Sequence, residues 1–187
     1  MSERGTLFLV VGPSGAGKDT LIDGARSALA DDPRFVFPRR VVTRPPDAVG
    51  EDHQSMSVED FKAAEARGDF ALAWSAHGLH YGIPRAIDDE LARGRHVVVN
   101  VSRAVISEAR ERYRPLRIIA VTAPVAVLAE RLARRGRESA ADIAGRLDRS
   151  GAIAVEGPDV TEIETTGSID GSLRALLAAL GATEGKV

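Results

Sequence analysis

The segment Thr6-Leu-Phe-Leu-Val-Val-Gly-Pro-Ser-Gly-Ala-Gly-Lys-Asp-Thr20 joins an apolar run to a glycine-rich turn, and a helical pattern follows. The run is rich in β-forming residues and does not alternate with polar ones, which is typical of a strand buried on both faces. The turn Gly12–Lys18 fits the pattern G-x-x-x-x-G-K of a phosphate-binding loop (P-loop), and it stands between a strand and a helix as that motif requires. This context makes it the most informative feature of the sequence.

The predicted P-loop suits the phosphates of a nucleoside triphosphate. Its glycines let backbone N–H groups converge on an anion, and the N-terminus of the next helix adds partial positive charge. We expect Lys18 to reach the β- and γ-phosphates of ATP. The expected ATP-binding residues of this segment are Gly12, Pro13, Ser14, Gly15, Ala16, Gly17, Lys18, Asp19 and Thr20. The alternative is a glycine-rich strand–helix turn that binds nothing.

The residue after Lys18 departs from the general motif. Asp19 stands where Ser or Thr usually contacts Mg²⁺. Asn100, at the end of a later predicted strand, stands where many P-loop proteins place a metal-ordering carboxylate. We hypothesise that Asp19 replaces that carboxylate as the metal ligand. Direct binding, binding through water and a role only in capping the helix all stay open.

The composition of the chain favours a single globular domain over residues 1–187. The sequence has 187 residues, 44% hydrophobic and 28% charged, and it contains no cysteine, which excludes disulfides and thiolate metal sites. The net charge of -2 provides no basic field for nucleic acid. The longest apolar stretch near the start, Leu7–Val11, is too short for a membrane span or a signal peptide. We expect a cytoplasmic protein that acts on a small molecule, and the sequence leaves a homodimer open.

Strand and helix patterns alternate along the chain, which implies an α/β fold with a parallel core. Extended segments are predicted at 6–11, 35–42, 97–101, 116–121 and 160–164, with a β excursion over 70–81. Helices are predicted at 18–30, 57–67, 84–94, after Ser102, at 124–135, 139–149 and from Ser168 or Ser172 to 180. We expect about five parallel strands, with 6–11 and 97–101 central and ATP at their carboxyl-terminal edge.

An arginine-rich segment near the predicted helix 124–135 is a candidate lid over about 134–142. Phosphoryl transfer needs cations around the transferring group, and a helix break beside several arginines suits a segment that closes over ATP. We expect Arg134 and Arg137 to act in catalysis with Lys18, and Arg131 and Arg135 to contact ATP. The alternative, a solvated helix face, applies to some of these arginines.

Taken together, these segments resemble the guanylate kinase type of nucleoside monophosphate kinase. The matching pieces are Gly12-Pro-Ser-Gly-Ala-Gly-Lys18, Thr43-Arg-Pro-Pro46, Gly50-Glu-Asp52, Phe61, Gly68-Asp-Phe70, His77-Gly78, Tyr81-Gly82 and Arg131-Leu-Ala-Arg-Arg-Gly136. The resemblance implies a three-layer P-loop kinase fold with a parallel central sheet, a small substrate-binding insertion over about 35–82 and an arginine-rich lid. It also implies an ATP-dependent phosphotransferase that uses Mg²⁺.

The departures from this resemblance concern the acceptor. Leu72 stands where guanylate kinases have a glutamate that reads guanine, and a leucine cannot pair with guanine N–H groups; such a lost contact costs ~1–3 kcal/mol. His53 stands at the position of a phosphate-binding tyrosine, and Asp47 at that of an arginine. Arg44 and Tyr81 remain as the family has them. The sequence therefore keeps phosphate-binding groups and loses a purine-reading one.

This pattern is similar to a narrower family, the ribose 1,5-bisphosphate phosphokinases of bacterial phosphonate degradation. The shared segments are Gly17-Lys-Asp-Thr20, Arg40-Val-Val-Thr-Arg-Pro45, Glu51-Asp-His53, Trp74-Ser-Ala-His-Gly78, Tyr81-Gly82, Asn100-Val-Ser-Arg103, Arg135-Gly-Arg-Glu-Ser139 and Asp170-Gly-Ser-Leu173. The resemblance implies transfer of the γ-phosphoryl group of ATP to the 1-phosphate of ribose 1,5-bisphosphate. The products would be 5-phosphoribosyl 1-diphosphate and ADP.

A bisphosphate acceptor calls for two cationic pockets. The expected substrate-binding residues are Arg40, Arg44, Glu51, His53, Tyr81 and Arg103. Trp74 is either a core residue or a surface on which the sugar stacks. Two alternative functions stay open, a nucleoside monophosphate kinase of the guanylate kinase type and a non-catalytic binding module of the same fold. The intact Lys18 disfavours the second.

Overall fold

The computed structural model describes residues 4–45, 52–135 and 154–182. The strands are β1 (Leu7–Val11), β2 (Phe35–Val36), β3 (Val41–Val42), β4 (Gln54–Ser55), β5 (Phe70–Ala76), β6 (Leu79–Pro84), β7 (His96–Asn100), β8 (Leu116–Thr122) and β9 (Val160–Glu164). The helices are α1 (Lys18–Ala28), α2 (Val58–Arg67), α3 (Ile87–Ala92), α4 (Ile106–Arg112), α5 (Val125–Arg135) and α6 (Ile169–Ala179), with a 3₁₀ turn at Arg103–Val105. The described residues fall into two compact units, drawn from Met1–Leu9 with Ala30–Leu116 and from Val10–Leu29 with Arg117–Val187.

The central sheet has five parallel strands in the order β2-β7-β1-β8-β9. All five residues of β1 are buried, as its unbroken apolar sequence predicts for the middle strand of a parallel sheet. The prediction of a central first strand is confirmed, and the strand predicted at 97–101 lies next to it as β7. The final strand, β9, lies at the edge, where Ile118 pairs with Val160 and Thr122 with Glu164.

A smaller sheet, in the order β4-β3-β6-β5, is inserted in the chain between β2 and β7. Its β5–β6 hairpin turns through His77 and Gly78, whose φ angles of 53° and 74° are both positive, as in the tight turns that match strand twist. The predicted β excursion is thus confirmed. The prediction that Pro84 opens a helix is wrong, because antiparallel pairing with Phe70 keeps Pro84 in β6 and α3 begins at Ile87.

The extended segment predicted at 35–42 is divided between the two sheets. Phe35 and Val36 pair in parallel with β7, whereas Val41 and Val42 pair with β4 and β6 of the small sheet. Pro38 lies between the two pieces. Because proline has no N–H for a strand ladder, it separates them.

Side-chain caps fix the starts of three elements. The hydroxyl of Ser57 accepts a hydrogen bond from the Asp60 N–H at 3.0 Å, and that of Ser168 accepts one from the Gly171 N–H at 3.1 Å. The helix predicted from residue 57 thus starts with a serine cap, and of the two starts left open for the last helix, Ser168 is the one observed. Ser102 caps the 3₁₀ turn rather than α4 itself. The predicted helix at 139–149 lies outside the described residues.

The small sheet has two different faces. One packs against α2 through Val41, Phe61, Ala64 and Phe70, and the rings of Phe61 and Phe70 stack with centroids 4.5 Å apart. The other face carries the alternate residues of β5 and β6. In the part of the chain that the structure describes, no helix has the length and apolar character needed to cross a membrane.

Candidate active site

The P-loop follows β1 and requires glycine at its first position. A Cβ on Gly12 would lie 2.1 Å from the carbonyl oxygen of Val121, and the φ angle of Gly12 is 151°. Gly15 and Gly17 also have positive φ angles, and Gly17 is the residue that precedes α1. A side chain at Gly12 would thus collide with the backbone of β8, whereas Gly15 and Gly17 are favoured by their positive φ angles.

Lys18, the first residue of α1, folds back onto this loop. Its Nζ donates hydrogen bonds to the carbonyl oxygens of Gly12 at 2.8 Å and of Pro13 at 2.9 Å. These contacts hold a positive charge at the loop whose backbone N–H groups would receive a phosphate. The contact of Lys18 with the β- and γ-phosphates of ATP stays a prediction.

Arg131, on α5, braces the P-loop from the side. Its guanidinium donates to the Gly15 carbonyl oxygen at 3.2 Å, to the Thr165 hydroxyl at 3.0 Å and to the Thr165 carbonyl oxygen at 2.7 Å. The buried Thr165 hydroxyl lies 2.8 Å from the Ala16 carbonyl oxygen. The predicted ATP contact of Arg131 thus stays a prediction, but the structure places this side chain at the loop.

A cavity of about 280 Å³ lies beside the P-loop. It is lined by Gly15, Ala16, Gly17, Thr20, Leu21, Arg131, Arg134, Thr165, Gly167, Ile169 and Ser172. The segment from Thr165 to Ser172 was not predicted as part of the site. Its signal in the sequence is the short polar stretch directly after the predicted strand 160–164, since ligands of parallel sheets bind beyond the carboxyl ends of strands.

The other predicted lid arginines are only partly described. Arg134 is exposed and pairs with Glu130 at 2.5 Å. The backbone of Arg135 ends α5, while its side chain and Arg137 lie outside the described residues, as does most of the predicted lid. Their expected roles therefore stay predictions.

Among the predicted acceptor residues, Arg40 and Tyr81 come together. The Arg40 guanidinium lies over the Tyr81 ring, 5.2 Å from its centroid, and its Nη1 donates to the Asn100 carbonyl oxygen at 3.4 Å. The Tyr81 ring also stacks on Trp74, with centroids 5.3 Å apart and planes 4° apart. A cation and a phenol are thereby held on one side of the small sheet.

The neighbouring Arg39 is engaged elsewhere. It pairs with Asp52 at 2.8 Å and donates to the His53 carbonyl oxygen at 3.2 Å. His53 is buried, and its Nε2 lies 3.3 Å from the Ser55 hydroxyl oxygen.

A second cavity, of about 400 Å³, lies at the end of β3. It is lined by Thr43, Arg44, Pro45, Ser55, Met56, Ser57 and Val58.

The remaining residues singled out in the sequence lie elsewhere. Arg103 is half-buried at the start of the 3₁₀ turn after β7, and Glu51 lies outside the described residues. Leu72 is 1% exposed and pairs with Ile83 across the hairpin.

Comparison with known proteins shows the family of this chain. The family model described as guanylate kinase matches residues 4–174. The ribose 1,5-bisphosphate phosphokinase PhnN of Acidiphilium cryptum is 55% identical over 166 residues, which cover 89% of this chain and 88% of that protein. The bifunctional ribose 1,5-bisphosphokinase-thymidine phosphorylase of Azorhizobium caulinodans is 47% identical over 94% of this chain, but the chain spans only 25% of its length.

Solved structures show the same fold at lower identity. The guanylate kinase of Anaplasma phagocytophilum superposes with a TM-score of 0.69 and 18% identity, covering 97% of this chain and 87% of that one. This likeness bears on the fold alone, whereas the high-identity relatives bear on the family. The chain therefore belongs to the guanylate kinase family and, within it, to the ribose 1,5-bisphosphate phosphokinases.

Proposed function

We propose that this kinase transfers the γ-phosphoryl group of ATP to the 1-phosphate of ribose 1,5-bisphosphate, producing 5-phosphoribosyl 1-diphosphate and ADP. The observation that carries the proposal is the set of side chains around Tyr81 on the small sheet. Its ring bears the Arg40 guanidinium, while the buried Leu72 on the adjoining strand offers no group that could read a purine. Such a surface suits a phosphate group and provides no polar side chain that would select a purine base.

The reaction forms one bond and breaks one. An oxygen of the 1-phosphate bonds to the γ-phosphorus, and the bond from that phosphorus to the β,γ-bridging oxygen breaks, leaving its electron pair on ADP. A phosphate monoester has a second pKa of about 6, so the acceptor is largely a dianion at neutral pH. The attack needs no general base, and the work of the protein is positioning and charge neutralisation.

The donor side of this proposal uses the P-loop and its surroundings. Backbone N–H groups of Gly12 and of residues 14–20 would bind the β- and γ-phosphates, with Lys18 as the cation that follows the transferring group. We assign the adenosine part of ATP to the cavity lined by Thr165, Gly167 and Ile169, which lies beside the P-loop. We further assign Arg134 and Arg137 to catalysis at the γ-phosphoryl group, and Arg131 and Arg135 to contacts with ATP.

Asp19 suits a Mg²⁺ ion bound together with ATP. Mg²⁺ prefers oxygen ligands and usually takes one or two carboxylates besides substrate phosphates, and Asp19 supplies a carboxylate in the first turn of α1, next to Lys18. A single carboxylate beside the P-loop fits an ion whose other ligands come from phosphate and water. Mg²⁺, when bound, offsets the charge of the phosphate oxygens. An Asp19→Ala variant with unchanged Mg²⁺ dependence would refute this assignment.

The acceptor side would hold both phosphates of the substrate. Arg40 with Tyr81 provides one cationic site, and Arg44 at the 400 Å³ cavity provides another. Arg103, His53 and Glu51 complete the proposed set. The three arginines are strong binders of phosphate because their guanidinium groups offer paired N–H donors.

We also propose a cytoplasmic location, where ATP is available, and a homodimer as the assembly to test by sedimentation.

The two alternative functions fit less well. A guanylate kinase activity lacks a base-reading group at Leu72, and a non-catalytic module would not need Lys18 on the P-loop.

The decisive experiment is a coupled ADP-release assay with Mg-ATP and four separate acceptors: ribose 1,5-bisphosphate, ribose 5-phosphate, GMP and AMP. We expect turnover with ribose 1,5-bisphosphate, loss of that turnover in Lys18→Ala, and a diphosphate at the ribose C1 position in the ³¹P spectrum of the product. Preference for GMP would overturn the argument from Leu72. Absence of turnover with all four acceptors would overturn the proposed reaction.

A further inference from the structure

Trp74 takes part in a row of stacked groups that crosses the small sheet. Strand β6 lies between β3 and β5. Tyr81, in β6, therefore has Trp74 on the β5 side and Arg40, which leads into β3, on the other. The three groups are held by ring contacts of 5.3 Å and 5.2 Å.

The strand register makes this row a fixed arrangement. Trp74 and Tyr81 are direct cross-strand partners, and such partners on one face of an antiparallel pair have Cβ atoms close enough for rings to pack. Their planes differ by only 4°, so the indole covers one side of the phenol. Rotation of the Tyr81 ring would break this contact, and the ring is the surface on which the Arg40 guanidinium rests.

We propose that Trp74 is a positioning residue for the acceptor phosphate, acting through Tyr81 on Arg40. This inference rests on the proposed function, in which Tyr81 and Arg40 bind that phosphate. Trp74 is half-buried rather than sealed in a core. Its indole orients the phenol, and the oriented phenol holds the guanidinium at a defined place.

The first test uses the intrinsic fluorescence of the protein, because Trp74 is its only tryptophan. Ribose 1,5-bisphosphate titrated into the wild-type protein without ATP should change the Trp74 emission in a saturable way. Tyr81→Leu should abolish this change, because it removes both the phenol proposed to bind the phosphate and its contact with the indole. An emission insensitive to the acceptor, in a protein that turns the acceptor over, would overturn the inference.

The second test separates positioning from a structural role. Trp74→Leu should raise the KM for ribose 1,5-bisphosphate roughly 2- to 10-fold, the range expected for a lost aromatic pair, while the KM for ATP stays unchanged. Trp74→Phe should restore most of the affinity because it restores a stacked ring. The matched control is His80→Leu, which removes a ring from the opposite face of the same hairpin, where His80 stacks on Phe61, and leaves the acceptor KM unchanged.

A double-mutant cycle tests whether Trp74 acts through Arg40. In an Arg40→Gln background, Trp74→Leu should cause little further rise in the acceptor KM, since the effects of coupled residues do not add. Full additivity, or an unchanged KM in Trp74→Leu alone, would overturn the inference while leaving the proposed function intact. Wild-type protein without turnover would overturn the proposed function, and this inference with it. If Trp74→Leu does not fold, Trp74→Phe and the wild-type titration decide.

Discussion

Arg131 donates two hydrogen bonds to Thr165, one to its hydroxyl and one to its carbonyl oxygen, at 3.0 Å and 2.7 Å. The pair joins α5 to the residue that follows β9, and the same guanidinium reaches the Gly15 carbonyl oxygen in the P-loop. The conformation of the P-loop thus depends on Thr165, which lies 34 positions after Arg131 in the sequence.

Loss of the Thr165 hydroxyl should loosen the P-loop. Thr165→Val keeps the volume of the side chain but removes a buried partner of Arg131 and of the Ala16 carbonyl oxygen. We expect a loss of about 1–3 kcal/mol in unfolding free energy and a raised KM for ATP, with the acceptor KM unchanged. Urea unfolding and steady-state kinetics measure both. Arg26→Gln, which alters an exposed arginine of α1, is the control; an equal effect there would contradict the prediction.

Gly12→Ala should be among the most damaging substitutions in the chain. The added Cβ would lie 2.1 Å from the Val121 carbonyl oxygen, so the loop or β8 must shift, at a cost of about 3 kcal/mol. Gly78→Ala is the matched control, because its φ angle is also positive but nothing lies within 4 Å of the new Cβ. That variant should lose only about 1–2 kcal/mol, the cost of a left-handed residue. Equal unfolding midpoints in the two variants would show that the close approach is unimportant.

Two adjacent arginines should differ in their effect on the acceptor. Arg40→Gln removes the guanidinium from the Tyr81 ring, and we expect the KM for ribose 1,5-bisphosphate to rise about tenfold or more, in line with ~1.5–3 kcal/mol for a charge-assisted hydrogen bond. Arg39→Gln removes an equal charge from the exposed pair with Asp52 and should change that KM less than about twofold. Similar KM values for the two variants would place Arg40 outside the acceptor site.

Acidification should destabilise the fold through His96. Its Nδ1 accepts a hydrogen bond from the Thr6 N–H at 3.0 Å, and burial, followed by the nearby Arg34, lowers its pKa from the ordinary 6.5. Below pH 6.5, His96 of the unfolded chain therefore binds a proton more readily than His96 of the folded protein. Its contribution to the free energy of unfolding is complete above pH 6.5 and declines as the pH falls from 6.5 to the lowered pKa of the folded protein. Urea unfolding between pH 5 and pH 8 measures it. His96→Gln should flatten the His96 part of this pH dependence, and an unchanged slope would contradict the assignment.

The P-loop, the central strand and the helix caps could be predicted because each is encoded locally, by glycine spacing, an apolar run or a serine before acidic residues. The division of 35–42 between two sheets could not, since it depends on which partners the two short pieces find. The helix start predicted at Pro84 was wrong for the same reason, because the pairing of Pro84 with Phe70 outweighs the preference of proline for the first turn of a helix. The Arg40–Tyr81–Trp74 row depends on strand register, and the contribution of Thr165 depends on the order of strands in the sheet. Single-sequence patterns contain neither.

The two-residue turn His77–Gly78 decides which chemistry the small sheet presents. Side chains alternate along a strand, so one residue inserted in this turn would move Tyr81 to the α2 face and bring His80 to its place. The phosphate contact proposed for Tyr81 would be lost although no amino acid of β6 had changed. The length of this turn is therefore under a stricter constraint than its sequence, because substitutions that keep the positive φ angles leave the register of β6 unchanged.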